Sequence, residues 1–168
     1  MRKETPRLQI FGVEKVEGLL ESVVPNFIKV AALAGVSLRE SEIREEILRC
    51  PHRPVGLPTG QMAVYVFLHE GRALKVGKAG PNSDARFRSQ HYNVGSAQST
   101  LAASILQNPE SIGRESIEAS LVGKWIKENT ERRNYYIRKD LGVHLLTLLE
   151  AYIQCSLNPV FEGFRSQR

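Results

Sequence analysis

The chain has 168 residues, enough to bury one sizeable core without staples, and its two cysteines, Cys50 and Cys155, form no CxxC or zinc-ligand spacing and read as reduced thiols, buried or semi-buried. The longest small or apolar run, Val30 to Val36, falls far short of the ~20 residues of a membrane helix, and Met1-Arg2-Lys3-Glu4 leads into no signal-peptide core, so a soluble cytoplasmic protein with no membrane partner is expected. A net charge of +5 with a pI near 9.4 favours a polyanionic partner without demanding one.

Apolar residues from Val13 to Ala34 recur at helical spacing, and Pro25 after Val23-Val24 divides them into two short helices. Ser37 with Glu40 makes a capping-box pattern, and Ile43, Ile47 and Leu48 form a stripe that predicts a third helix ending near Cys50-Pro51. Residues 1–50 thus read as a helical N-terminal extension. Pro51, Pro54, Gly56, Pro58 and Gly60 then make residues 51–60 a linker, and the main domain is expected over 61–163, with 164–168 as a tail.

Within that domain Met62 to Leu68 is β-rich, His69-Glu70-Gly71-Arg72 reads as a turn, and Ala73 to Val76 returns as a second strand. Gly77, Gly80 and Pro81 break the strand, after which Ser83 or Asp84 caps a helix running to about Tyr92. Further helices are predicted over Ser99 to Leu106 and Arg114 to Glu128, a short strand over Tyr135 to Arg138, and a long helix from Val143 to Ser156 before Asn158-Pro159. The fold class is α/β, a small sheet flanked by helices and preceded by the helical extension.

Positive charge gathers on the hairpin and the helix after it, in Arg72, Lys75, Lys78, Arg86 and Arg88, whereas Glu40, Glu42, Glu45 and Glu46 crowd the extension. Gly77-Lys78-Ala79-Gly80 lacks the spacing of a Walker loop, which argues against ATP binding, and Cys50-Pro51-His52 offers metal-capable side chains without partners. Hydrolysis of a phosphodiester needs a nucleophilic water, a base, positive charge on the phosphoryl oxygens and help for the leaving oxygen. Tyr65, Lys75, Arg86, His91 and Glu150 supply those functions between them, with Lys78 and Arg88 as further phosphate contacts.

The tyrosine in Ala63-Val64-Tyr65, the run Leu74-Lys75-Val76-Gly77-Lys78, the helix carrying Arg86, Arg88 and His91, and Glu150 followed by Pro159 stand in an order that resembles the GIY-YIG nuclease superfamily over residues 60–163. The resemblance implies a Mg²⁺- or Mn²⁺-dependent DNA endonuclease in which Glu150 binds the metal and Tyr65 activates or orients the attacking water. It implies that Arg86, with Arg88 as competitor, clamps the phosphate. Lys75 stands where the family has its second tyrosine, and Glu162 where it has an asparagine. Glu162 is then either a second metal ligand or a mark of a site that binds nucleic acid without cutting, the alternative reading of the whole protein. Cutting both strands with one site per chain would take a homodimer or two successive events.

Overall fold

The computed structural model describes residues 13–96 and 100–161. The expectations for Glu162, for the tail at 164–168 and for the first residues of the chain lie outside that range. Two helices open the described chain, α1 (Val13–Glu21) and α2 (Val23–Leu33). They divide at Ser22, whose hydroxyl donates to the Leu19 carbonyl at 3.0 Å, and not at Pro25. Pro25 occupies the first turn of α2, where the missing N–H costs no intrahelical bond.

The third expected helix is instead a single 3₁₀ turn, Glu40–Glu42, followed by strand β1 (Ile43–Leu48). The capping interaction is made two residues on, with the Arg39 amide donating to Glu42 Oε2 at 2.9 Å. Ile43 and Ile47 are four apart, a spacing that suits one face of a helix and also alternate positions of a strand. Pairing decides between them: β1 lies antiparallel to β4 (Glu131–Arg138) from Ile43↔Ile137 to Leu48↔Arg132.

Strands β2 (Gln61–His69) and β3 (Arg72–Ala79) form the expected hairpin. Glu70 and Gly71 both adopt positive φ, 48° and 70°, as a two-residue loop with the twist of the flanking strands requires. Helices α3 (Asp84–Arg88), α4 (Leu101–Gln107) and α5 (Ala119–Asn129) follow, then β4 and the long α6 (Val143–Leu157). Strand β4 begins four residues before the expected Tyr135, and α5 begins at Ala119 rather than Arg114.

The sheet is four-stranded and antiparallel in the order β1-β4-β2-β3. Its central strand β2 is buried on both faces from Met62 to Phe67, which is why the sequence there reads as an unbroken apolar run. Met62, Val64 and Val66 face a core with Leu20 and Phe27 of α1 and α2 and with Leu146, Leu149 and Ile153 of α6. Ala63, Tyr65 and Phe67 face a second core with Phe87, Ile105 and Ile126 from α3, α4 and α5.

The N-terminal helices and β1 therefore share the core and the sheet of the rest, and the boundary expected at 51–60 separates no two cores. Within that stretch His52 is buried, and Val55 and Leu57 pack on the second core. Both cysteines are exposed rather than buried. Among the described residues no helix is long and apolar enough to cross a membrane.

Candidate active site

The face of the sheet that meets α3, α4 and α5 is laid out by register. One row across the strands runs Glu46, Asn134, Tyr65, Gly77, and the next runs Leu48, Arg132, Phe67, Lys75. Because side chains alternate along a strand, each row puts its residues on one side of the sheet. Tyr65 thus lies between an asparagine and a glycine. The glycine is required there, since a Cβ at Gly77 would lie 2.7 Å from the Tyr65 hydroxyl oxygen and 2.8 Å from two ring carbons. With no side chain at 77, the Tyr65 ring lies across β3.

Tyr65 Oη is 2.6 Å from His91 Nε2 and 3.3 Å from Arg86 Nε. The other nitrogen of His91, Nδ1, accepts from the Leu101 amide at 3.2 Å, so the proton of the neutral imidazole resides on Nε2. His91 and Arg86 both donate to the phenol oxygen. Burial pushes the imidazole pKa down to about 2, helped by the charges of Lys75, Arg132 and Arg86, and His91 is neutral throughout the physiological range. Burial likewise raises the Tyr65 pKa above its ordinary value, against the opposing pull of the Arg86 bond and the Arg86 and Arg132 charges; Glu150 pushes it further up.

Helix α3 delivers Arg86 and then stops at Arg88, where a 3₁₀ turn, Gln90–Tyr92, swings His91 inward. A continuous helix to Tyr92 would have placed His91 on the face of Arg88, at the surface. Arg88 is instead drawn away to Asp84, at 3.2 Å, and its guanidinium lies against Gly56. Arg86, not Arg88, is the arginine at Tyr65.

Lys75 is 3% exposed, on the same face as Tyr65 and one row along. Lys78 pairs with Val64 and so belongs to the opposite face, where its ammonium donates to Glu150 Oε2 of α6 at 2.6 Å. That pair is partly screened by water, the Glu150 side chain being 18% and that of Lys78 36% exposed. Among the described residues no three His, Cys, Asp or Glu side chains converge as a metal cluster.

Comparison with protein-family models, with curated proteins and with solved structures gave no match.

Several residues at this site were not anticipated. Arg132 is fully buried, and its guanidinium carbon lies 4.2, 5.1 and 5.3 Å from the ring centroids of Phe87, Tyr65 and Phe67. Its Nε donates to Asn134 Oδ1 at 2.9 Å and its Nη1 to Tyr92 Oη at 3.2 Å. Asn134 in turn donates to Glu46 at 2.9 Å. On the far side His52 Nδ1 donates to the Thr130 carbonyl at 2.7 Å, leaving Nε2 to accept from the Tyr92 hydroxyl at 2.9 Å. The signal was present as alternation: Arg132, Asn134 and Tyr136 to one face, Arg133, Tyr135 and Ile137 to the other.

Proposed function

We propose that the protein is a metal-dependent endonuclease that hydrolyses DNA phosphodiester bonds at a GIY-YIG-like site centred on Tyr65. The observation that carries this reading is the phenol oxygen of Tyr65, held by two N–H donors, His91 and Arg86, with a glycine opposite it to make room for the ring. Two donors on one phenol oxygen fix its position and leave its own proton as the one it can release. Once released, the phenolate would be met by the His91 N–H and the Arg86 guanidinium, both of which favour the ionised form.

His91 cannot itself be the base, because its Nε2 already carries a proton and its Nδ1 is occupied by the Leu101 amide. It orients Tyr65. Since burial keeps Tyr65 protonated at neutral pH, cleavage that uses the phenolate accelerates as pH rises toward the Tyr65 pKa. Arg86, whose side chain is exposed, can also present its planar guanidinium to phosphate oxygens.

Glu150 fits a hard divalent cation: Oε2 is engaged by Lys78, and Oε1 accepts no hydrogen bond from the described residues. Mg²⁺ needs only one or two protein carboxylates beside its waters. Bound there, Mg²⁺ or Mn²⁺ would supply positive charge to the phosphoryl and leaving oxygens. Lys78 holds the carboxylate in place, and Lys75 adds charge where the resemblance expects a second tyrosine. DNA is the partner that the net positive charge suits, and cleavage of both strands calls for a homodimer or two successive cuts.

A module that binds nucleic acid without cutting is the second reading, favoured by the Lys78 ammonium already neutralising Glu150. Incubation of supercoiled plasmid with the protein in Mg²⁺, Mn²⁺ or EDTA, beside Glu150→Ala and Tyr65→Phe, decides between them. Metal-dependent nicking lost in both variants supports the nuclease. Salt-sensitive DNA retention without nicking supports the binding module, and the absence of both nicking and retention removes both readings.

A further inference from the structure

A guanidinium with no exposed surface is expensive to bury, and an ion pair normally offsets the cost. Arg132 has no carboxylate within ion-pair distance among the described residues. Its Nη2 finds no hydrogen-bond partner there, and its remaining bonds go to two neutral groups, Asn134 and Tyr92. The nearest compensation is indirect, through Asn134 to Glu46 on β1. Apolar side chains of similar volume would fill the space between Phe67, Phe87 and Tyr92 at less cost, so packing alone does not account for this residue.

Its placement gives the reason. Arg132 stands next to Asn134 on β4, beside Phe67 and one row from Tyr65, with the face of the Tyr65 ring 5.1 Å from its guanidinium carbon. We propose that Arg132 is the positioning residue of this site, a permanent buried cation that stacks on Tyr65 and favours its phenolate over its phenol. The charges acting on Tyr65 are then Arg86 from α3, Arg132 from β4 and, from the opposite face of the sheet, Glu150 of α6, with Lys75 on β3 acting on His91 and His91 itself neutral. Arg86 acts most strongly, through its direct bond and its charge, but from an exposed side chain; Arg132 adds a charge from a side chain that water does not reach. Asn134 completes the arrangement by fixing the guanidinium through Nε without neutralising it, as an aspartate at that position would do.

The inference rests on the nuclease reading for its purpose but not for its test. A fluorotyrosine of intrinsically lower pKa is inserted at position 65, bringing the titration into the range where the protein stays folded, and ¹⁹F NMR follows it with Arg132, Arg132→Met and Arg132→Lys. An opposite charge close to an ionising group is worth about 1–3 pH units, and because the 5.1 Å here runs to the ring centroid and not to Oη, the low end of that range applies. Arg132→Met should therefore raise the titration midpoint by at least one unit, and Arg132→Lys, which restores the charge, by clearly less. A folded Arg132→Met protein with an unmoved midpoint would overturn the proposal. Should Arg132→Met fail to fold, Arg132→Lys and Arg132→Gln are compared instead, and equal midpoints in those two would overturn it as well. Plasmid cleavage is scored separately: a shifted midpoint in a protein that never cuts DNA would remove the nuclease reading and leave the electrostatic role of Arg132 standing.

Discussion

Gly77→Ala is the sharpest perturbation of this site, because it adds one methyl group and no charge. The new Cβ would sit 2.7 Å from Tyr65 Oη and 2.8 Å from Cε2 and Cζ, against the ~3.5–4.0 Å of an ordinary carbon contact. The ring must retreat by about 1 Å, which stretches the 2.6 Å bond to His91 Nε2 past hydrogen-bonding range and breaks the weaker one to Arg86. Overpacking of this size costs about 1–3 kcal/mol, roughly 2–12 °C in Tm for a chain of this length. A misplacement of ~1 Å in a reacting group costs on the order of 10²-fold in rate. The assay pairs thermal melting with plasmid nicking, and Gly80→Ala serves as control, since its Cβ would meet nothing closer than Ser83 Oγ at 3.9 Å. If Gly77→Ala melts and cuts like Gly80→Ala, the Tyr65 ring does not lie across β3 and the site is built otherwise.

Tyr65→Phe should abolish nicking and also lower stability by about 1–3 kcal/mol, because the buried His91 N–H loses its acceptor; guanidinium denaturation measures the second effect. Glu150→Ala should remove metal-dependent cleavage while leaving filter retention of DNA intact or stronger, since a negative charge is lost and Lys78 is released. His91 has a folded pKa of about 2 against an ordinary value of 6.5, so below pH 6.5 the unfolded chain takes up a proton that the folded one refuses. Stability therefore falls as pH drops from 6.5, by about 1.4 kcal/mol per unit from this residue, and denaturation at pH 7 and 5 should show a smaller loss in His91→Gln. If cleavage uses the Tyr65 phenolate, the logarithm of its rate should rise with unit slope between pH 7 and 9; a flat profile would exclude Tyr65 as the base.

Local chemistry in the sequence determined the hairpin, its turn at Glu70-Gly71, the two N-terminal helices and the final helix. Each of these follows from short-range rules: alternation, turn residues with positive φ, helical spacing and helix-ending residues. Tertiary structure decided the rest. Residues 43–48 became a strand because β4 offered pairing partners and because Glu45 and Glu46 found Arg133 and Tyr136 there, contacts between positions about ninety residues apart that no local pattern encodes. The start of β4, Glu131-Arg132-Arg133, was illegible because charges at strand positions are unfavourable until aromatic rings and carboxylates surround them. His91, one of the candidates named from the sequence, reaches the Tyr65 hydroxyl because α3 ends at Arg88, and Lys75, Lys78 and Arg88 were sorted among three surroundings by register and helix termination. The sequence named candidate side chains; which of them meet, and with what charge state, depends on long-range register and burial.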